Sequence, residues 1–340
     1  MHRTSPSLFW QVLYRGCAGW LELRAVPEGD GITLRRFYEL PAGIGPAERF
    51  AMAHDGQRHV FFSALPRAEP RGGSDAVRTV PVLFADIDAK DFVRGEAEIE
   101  VRLGDLSAIG LGPTAVVRSG GGGRHAYWLL REPVKLNTAS AAEQVRSTLW
   151  ALGAGVGIPA RANVACDLAR LLRVPETLNI KAKYGTPQLC MVEQLHPERR
   201  YDLADFVPLV RSYPRPAAQL GTRRWVSFSP GLTLPADPQD LLRGLDISRP
   251  VRELIHAGAE PGRRSETDMK AIVALVRAGA SPDRIRAVFA HLALGIGAKY
   301  REHPQPDRYL GYSISKAQAW VEAHPPPGQR ARASPAREGR

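Results

Sequence analysis

Apolar positions in the first part of the chain fall into short alternating or continuous runs. In the last part they take helical spacing. "GWLELRAVP" and "ITLRRFYEL" alternate with period two, and "HVFFSALPR" is rich in β-branched and aromatic residues, so each predicts a strand. "SPSLFWQVLYRG" opens with Ser-Pro and continues at roughly helical spacing, which predicts a helix. "GPAERFAMAHDG" reads as a short helix, and "IEVRLGDLSAIGLGP" as a helix leading into the strand "TAVVRS". The run Val80 to Ile87 predicts a buried strand that ends in acidic residues. "AYWLL" and "REPVKL" read as strand, followed by a strong helix from Asn137 to Leu152. "PQLCMVEQL" is a further strand and "DLADFVPLV" a further helix. Strands and helices mix without strict βαβ alternation. The expected class is α+β around one largely antiparallel or mixed sheet, spanning residues 1–212.

Residues 213–238 are rich in Pro, Gly and Ser and read as a linker. Beyond it the pattern is wholly helical. "DLLRGLDISRPVRELIHAG", "SETDMKAIVALVRAG", "SPDRIRAVFAHL" and "YLGYSISKAQAWVEAH" are separated by Gly and Pro, and several begin with Ser or Asp at an N-cap position. Residues 239–324 therefore predict a small helical domain. Residues 325–340, "PPPGQRARASPAREGR", are basic and low in apolar content, which predicts a disordered tail.

Charge narrows the partner. The 340 residues carry a formal net charge of +11, mostly from arginine. A polyanion such as nucleic acid fits that balance, and an arginine-favouring, GC-rich genome is the alternative source of it. Cys17, Cys166 and Cys190 stand far apart with no C-x-x-C, which argues against zinc and for free buried thiols in a reducing cytoplasm. No signal-peptide pattern is read at the start, and no run of about 18 apolar residues suggests a membrane span.

Candidate chemistry begins at "VVRSGGGGRHAYWLL". A hairpin turn needs one or two glycines, and here four stand in a row. The surplus backbone N–H groups suit an anion nest, with the Ser119 hydroxyl at one end and Arg124 and His125 at the other. A loose hairpin with a chance His is the plainer alternative. Upstream, Asp86 and Asp88 sit at i and i+2, so on a strand both face one side. Paired carboxylates at the end of an apolar strand call for a hard cation such as Mg²⁺ or Mn²⁺. A solvated strand end beside Lys90 is the alternative. Downstream, "CDLARLLRVPETLNIK" adds Asp167, with Arg170, Arg173 and Lys181 close behind. Asp167 and Arg170 would pair on a helical turn. Alternatively they are a metal carboxylate and a phosphate cation of a two-metal nucleotidyl-transfer site.

In this order the segments "FFSALPR", "LFADIDAKD", "VRSGGGGRHAYW" and "CDLARLLRVPETLNIK" resemble the motif series of archaeo-eukaryotic primases, and most of all the bacterial, phage and plasmid primase-polymerases. The resemblance is anchored from Phe61 to Lys183. It implies an RRM-like catalytic domain followed by a helical domain. It also implies divalent metal on the catalytic acids Asp86, Asp88 and Asp167. Ser119 and His125 match the nucleotide-phosphate motif, with Gly123 as the alternative to Ser119 and Arg124 beside them. Arg173, Asn179 and Lys181 match the basic nucleotide-binding element, and Arg170 is read as a further nucleotide-binding cation beside them. Glu176 departs from the family, whose members carry Gly there. Tyr127 falls where a sugar-contacting aromatic could sit, and a core tyrosine is the simpler reading.

The implied activity is template-dependent synthesis on single-stranded DNA from NTPs or dNTPs, both starting and extending primers. A DNA-binding replication initiator with weak or no polymerase activity is the alternative. A rolling-circle nuclease would need H-x-H, which does not occur, and without G-x-x-x-x-G-K-[ST] any helicase activity would come from another protein, including mobile-element or CRISPR-associated partners.

Overall fold

The protein is described by a computed structural model that covers residues 4–29, 31–160, 167–216, 226–259, 264–303 and 305–324. Cys166 and the tail 325–340 lie outside the described residues. The chain divides into two units, Met1–Pro216 and Ala217–Arg340.

The first unit runs α1 (Pro6–Leu13), β1 (Gly19–Val26), β2 (Leu34–Leu40), α2 (Ile44–Ala53), β3 (His59–Ser63), β4 (Thr79–Ile87), α3 (Glu96–Ala108), β5 (Ala115–Arg118) and β6 (Arg124–Lys135). It continues with α4 (Ala139–Gly155), β7 (Leu171–Arg173), β8 (Leu178–Asn179), β9 (Gln188–Leu189), β10 (Met191–Leu195), β11 (Arg200–Tyr201) and α5 (Val207–Ser212). The α+β class holds, but the strands form two sheets and a small ribbon rather than one sheet. The first sheet has order β2-β1-β3-β7, the second is built on β10-β5-β6 with β4 on β6, and β8 pairs with β9. Strand pairing joins segments distant in sequence, so a local pattern predicts strands without predicting their grouping.

Local chemistry sets the elements. Ser5 caps α1 by accepting from the Leu8 N–H at 3.2 Å, and Pro6 starts the helix without an orphan donor. Thr138 caps α4 through Ala141 N–H at 3.1 Å. In β1, Leu21, Leu23 and Ala25 face the core while Glu22 and Arg24 take the other face. From Val80 to Ala85, β4 is buried on both faces, between α4 and the core around Phe9 and Phe62. That two-sided burial explains its unbroken apolar run. Cys17 and Cys190 are free and buried.

The second unit is helical: α6 (Arg249–Ala257), α7 (Arg264–Arg277), α8 (Pro282–Ala290), α9 (Ala298–Glu302) and α10 (Pro306–Ala323). Its core gathers Leu242, Ile255, Ile272, Leu275, Phe289 and Leu310. The described end of the expected linker belongs to this unit. Val226, Phe228 and Leu232 pack on its core, and Ser229 donates to Asp283 at 2.6 Å. Three apolar residues among prolines suffice to anchor a stretch whose composition reads as a spacer.

Candidate active site

β4 and β6 pair antiparallel, with Asp86 opposite His125 and Ile87 opposite Arg124. Beyond the strand end, Asp88 keeps an extended backbone, φ −97° and ψ 122°. Asp86 and Asp88 therefore stay on one side, as their spacing predicts. Asp86 is about a quarter exposed, and its Oδ1 lies 3.5 Å from His125 Nε2. Arg170 reaches its Oδ2 with Nε at 3.1 Å and with a terminal nitrogen. Asp88 is half exposed and pairs with Lys90.

Burial pushes the Asp86 carboxyl up, but nearby positive groups outweigh it and the net direction is down. Arg170 carries that effect at neutral pH, because His125 is itself neutral there. Burial drives the His125 imidazole down to about 4, over the opposing pull of Asp86. His125 Nδ1 is buried with no partner. Such an orphaned atom in a polar setting marks a place where a further group fits.

The four glycines close the β5–β6 hairpin, where Ser119 N–H donates to Gly123 O at 3.0 Å. Their number has a steric cause. A Cβ on Gly120 would stand 2.6 Å from the Gln188 carbonyl oxygen, and one on Gly123 would stand 2.5 Å from that of Ile87. Gly120 and Gly122 also have φ of +69° and +81°. The loop is packed, not slack. Asn179 holds it from the β8–β9 ribbon, donating from Nδ2 to Gly120 O at 3.0 Å and to Ser119 O at 3.3 Å. Asn179 thus serves the loop's shape rather than reaching outward. Lys181 is exposed, and its backbone N–H donates to Asn179 Oδ1 at 3.4 Å.

Arg124 departs from its expected place. It points to the face of β6 opposite His125 and is 2 % exposed. Its guanidinium meets Glu96 at 3.0 Å, Glu193 at 2.5 Å and Glu100 at 3.7 Å. A cation held by three carboxylates has no fork left for a phosphate, and strand alternation dictates that only one of two adjacent residues can face the acids.

Asp167 and Arg170 do not pair side chain to side chain. Asp167 Oδ1 accepts from Ser74 Oγ at 3.0 Å and from Ala169 N–H at 3.1 Å, while the Arg170 N–H donates to the Asp167 carbonyl at 3.0 Å. Arg67, fully buried, braces this turn by donating to the carbonyls of Leu168 at 3.2 Å and Ala169 at 2.9 Å. Arg67 is in turn held by buried Glu22 at 3.1 Å. Neither residue carries a local sequence signal, because the two lie in different strands' worth of chain. A buried Arg and a buried Glu are recognised only once the fold pairs them.

Arg173 is buried, lies over the Phe61 ring at 4.9 Å and donates to His59 Nδ1 at 3.2 Å. His59 passes on to Glu28, whose other oxygen accepts from Ala182 N–H at 2.8 Å. Tyr127 is a core residue, edge-on to Phe9 at 5.3 Å. Glu176 adopts φ of +63°, a glycine-like conformation, at the position where the resemblance expects Gly.

The donor chemistry of Asp86 and Asp88 fits a hard divalent cation: two carboxylates on one side, each held here by a cation. Among the described residues no three His, Cys, Asp or Glu side chains converge as a metal-holding group. Among the described residues no helix is long and apolar enough to cross a membrane.

No protein-family model matches the chain, and no curated protein matches it. Among solved structures it is similar to the primase-polymerase domain of cyanophage S-2L, at 16% identity and a TM-score of 0.43, over 62% of this chain and 97% of that one. It is similar to primase RepB′ at 15% identity and a TM-score of 0.40, over 95% of this chain and all of that one. It is also similar to the RepB′ catalytic domain with initiator DNA, at 15% identity and a TM-score of 0.40, over 62% of this chain and 94% of that one.

Proposed function

We propose that the first unit is a nucleotidyl-transfer domain of primase-polymerase type, acting on single-stranded DNA with NTPs or dNTPs. One observation carries the reading. Asp86 and Asp88 share one side of a strand end, against neutral, buried His125 and the Arg170 guanidinium. The solved structures to which the chain is similar are of a primase-polymerase and a primase, one of them with initiator DNA.

Asp86 and Asp88 would hold Mg²⁺ or Mn²⁺. A bound divalent cation would supply Lewis-acid polarisation of the phosphoryl group and acidify an attacking hydroxyl. The chain's own residues do the rest. Arg170 and Lys90, released from the carboxylates, are the cations nearest an incoming triphosphate. His125 offers a neutral N–H where a cationic imidazole would lose its proton to burial. The glycine hairpin, fixed by Asn179, keeps backbone close to the acids without a side chain in the way.

A second reading has its own support. Among the described residues no three His, Cys, Asp or Glu side chains converge as a metal-holding group, which suits a DNA-binding initiator that does not synthesise. Incubation with single-stranded DNA, labelled nucleotides and Mg²⁺ or Mn²⁺, with and without a primer, separates the two. Product that requires metal and is absent from Asp86→Asn/Asp88→Asn supports synthesis. DNA binding with no product under either condition supports the initiator.

A further inference from the structure

One face of the first sheet is not core. Leu21, Leu23, Val60, Phe62 and Leu172 take the buried face. On the other, the register sets Arg35 opposite Arg24, Arg24 opposite Phe61, and Phe61 opposite Arg173. A row of Arg, Arg, Phe and Arg therefore crosses all four strands. With strands about 4.8 Å apart, it is about 14 Å long. Phe37 stands in the neighbouring row opposite Glu22, and the Arg35 guanidinium covers its ring at 4.8 Å.

The charge along this row is positive. Directly opposed like charges such as Arg24 and Arg35 destabilise a sheet. Fully buried Glu22 offsets them, holding Arg24, Arg35 and Arg67 at once. Of the other carboxylates on this face, Glu28 is taken by His59, and exposed Glu39 stands two residues along β2 from Phe37. Arg24 and Arg35 still keep side-chain exposures of 35% and 39%. Glu22 steadies each guanidinium from below, Gly72 lies beside a terminal nitrogen of each, and the remaining surface of both side chains stays open.

We propose that this row is the track of the single-stranded template. Arg24 and Arg35 take its phosphates, and bases stack on the Arg35–Phe37 pair and on the partly exposed Phe61 ring, which buried Arg173 backs from its other side. Phosphate affinity from Arg, with stacking on aromatic rings and guanidinium planes, is how single strands are held without sequence preference. The row leads to the acids. It ends on β7, and Arg170, immediately before that strand, engages Asp86. The inference rests on the reading of the site as one of template-directed synthesis and assigns the template its path.

The test is fluorescence anisotropy of the full chain with a labelled single-stranded oligonucleotide across a salt series, paired with primer extension. Arg24→Gln/Arg35→Gln should bind about tenfold more weakly or worse, with a slope of log affinity against log salt shallower by about 1.4, for two phosphates. Phe61→Leu should weaken binding about five- to tenfold and leave the slope unchanged, because stacking releases no counterions. Arg36→Gln removes the same charge next door. Arg36 lies opposite Leu23 and so on the other face, and should change little. Glu22 keeps Arg67 in the double variant, so its melting temperature should stay near that of the parent, and Arg35→Gln alone serves if it does not. A double variant no weaker than Arg36→Gln, or a parent that does not bind the strand, overturns the track. If the parent still extends primers in that case, the synthesis reading stands without it. A parent that binds through this row and makes no product overturns the synthesis reading alone.

Discussion

Arg170 ties two of the acids together. Its Nε lies 3.1 Å from Asp86 Oδ2, and its backbone N–H donates to the Asp167 carbonyl at 3.0 Å. Asp86 is thus the carboxylate best placed to exchange a protein cation for a bound one. Groups that only orient a metal ligand are worth about 10–100-fold, so Asp86→Asn should lower metal-dependent nucleotide incorporation by more than about 100-fold. Single-turnover incorporation on a primed template checks this, and an unimpaired variant would remove Asp86 from the site.

His125 makes stability depend on pH in a defined direction. Its imidazole is lowered to about 4 in the folded chain, chiefly by burial, against about 6.5 unfolded. Between these values the unfolded state binds the extra proton, so stability falls as pH falls. In metal-free buffer the loss from pH 7 to 4.5 should be on the order of 2–3 kcal/mol. Denaturant titrations at pH 7, 5.5 and 4.5 should show it in the parent and not in His125→Gln. Asp86, also lowered, adds its own loss only further down, as pH falls through the carboxylate range.

The glycine hairpin separates backbone strain from crowding. Gly185, between β8 and β9, and Gly120, in the hairpin, have φ of +73° and +69°, yet an added Cβ meets nothing within 4 Å at Gly185 and meets the Gln188 carbonyl oxygen at 2.6 Å at Gly120. Gly185→Ala should cost about 1–2 kcal/mol from left-handed backbone alone. Gly120→Ala should cost about 1–3 kcal/mol more, since a strand-bound carbonyl cannot step aside. Thermal or chemical melts of the two variants make the comparison, and equal costs would mean the loop is looser than its packing implies.

What could be read from the sequence follows from distance along the chain. Asp86 and Asp88 share a side because a strand has period two, and the hairpin at Ser119–Gly123 follows from glycine between two apolar runs. The elements are local and were legible. The grouping of strands into two sheets was not, because β3 pairs with β7 across about half of the unit. Arg124 and His125 look equally suited to a phosphate as letters. Only the pairing of β4 with β6 turns one toward Asp86 and the other toward Glu96 and Glu193. Glu22 and Arg67 gave no sign at all, since each reads as an ordinary surface charge until the fold buries both.

Arg124 offers a direct check of that division. Arg124→Met leaves Glu96 without its cation, while Glu193 keeps Arg118 at 2.7 Å. Breaking a buried pair costs about 3–5 kcal/mol, and the partial exposure of both glutamates reduces this to about 2–3 kcal/mol. Incorporation per folded molecule should be nearly unchanged at a temperature well below the melt. A raised KM for nucleotide with unchanged stability would instead place Arg124 on the substrate.

Arg67 should show the opposite coupling, stability and activity falling together. It holds the Leu168 and Ala169 carbonyls and is held by Glu22, so it fixes the turn that presents Asp167 and Arg170. Arg67→Met removes three anchored contacts but leaves Glu22 with Arg24 and Arg35. The expected cost is about 3 kcal/mol, below the loss for a wholly orphaned charge. The freed turn also loosens the grip of Arg170 on Asp86. Incorporation should therefore fall even at temperatures where the variant is fully folded, about 10–100-fold as for other residues that orient a metal carboxylate. Ser74→Ala, which removes a single hydrogen bond to Asp167, should cost only about 1 kcal/mol. Activity assays on both variants, normalised to folded protein, decide whether Asp167 matters to the chemistry. If Arg67→Met is slow and Ser74→Ala is not, the turn acts through Arg170. If both are slow, Asp167 itself must be held in place.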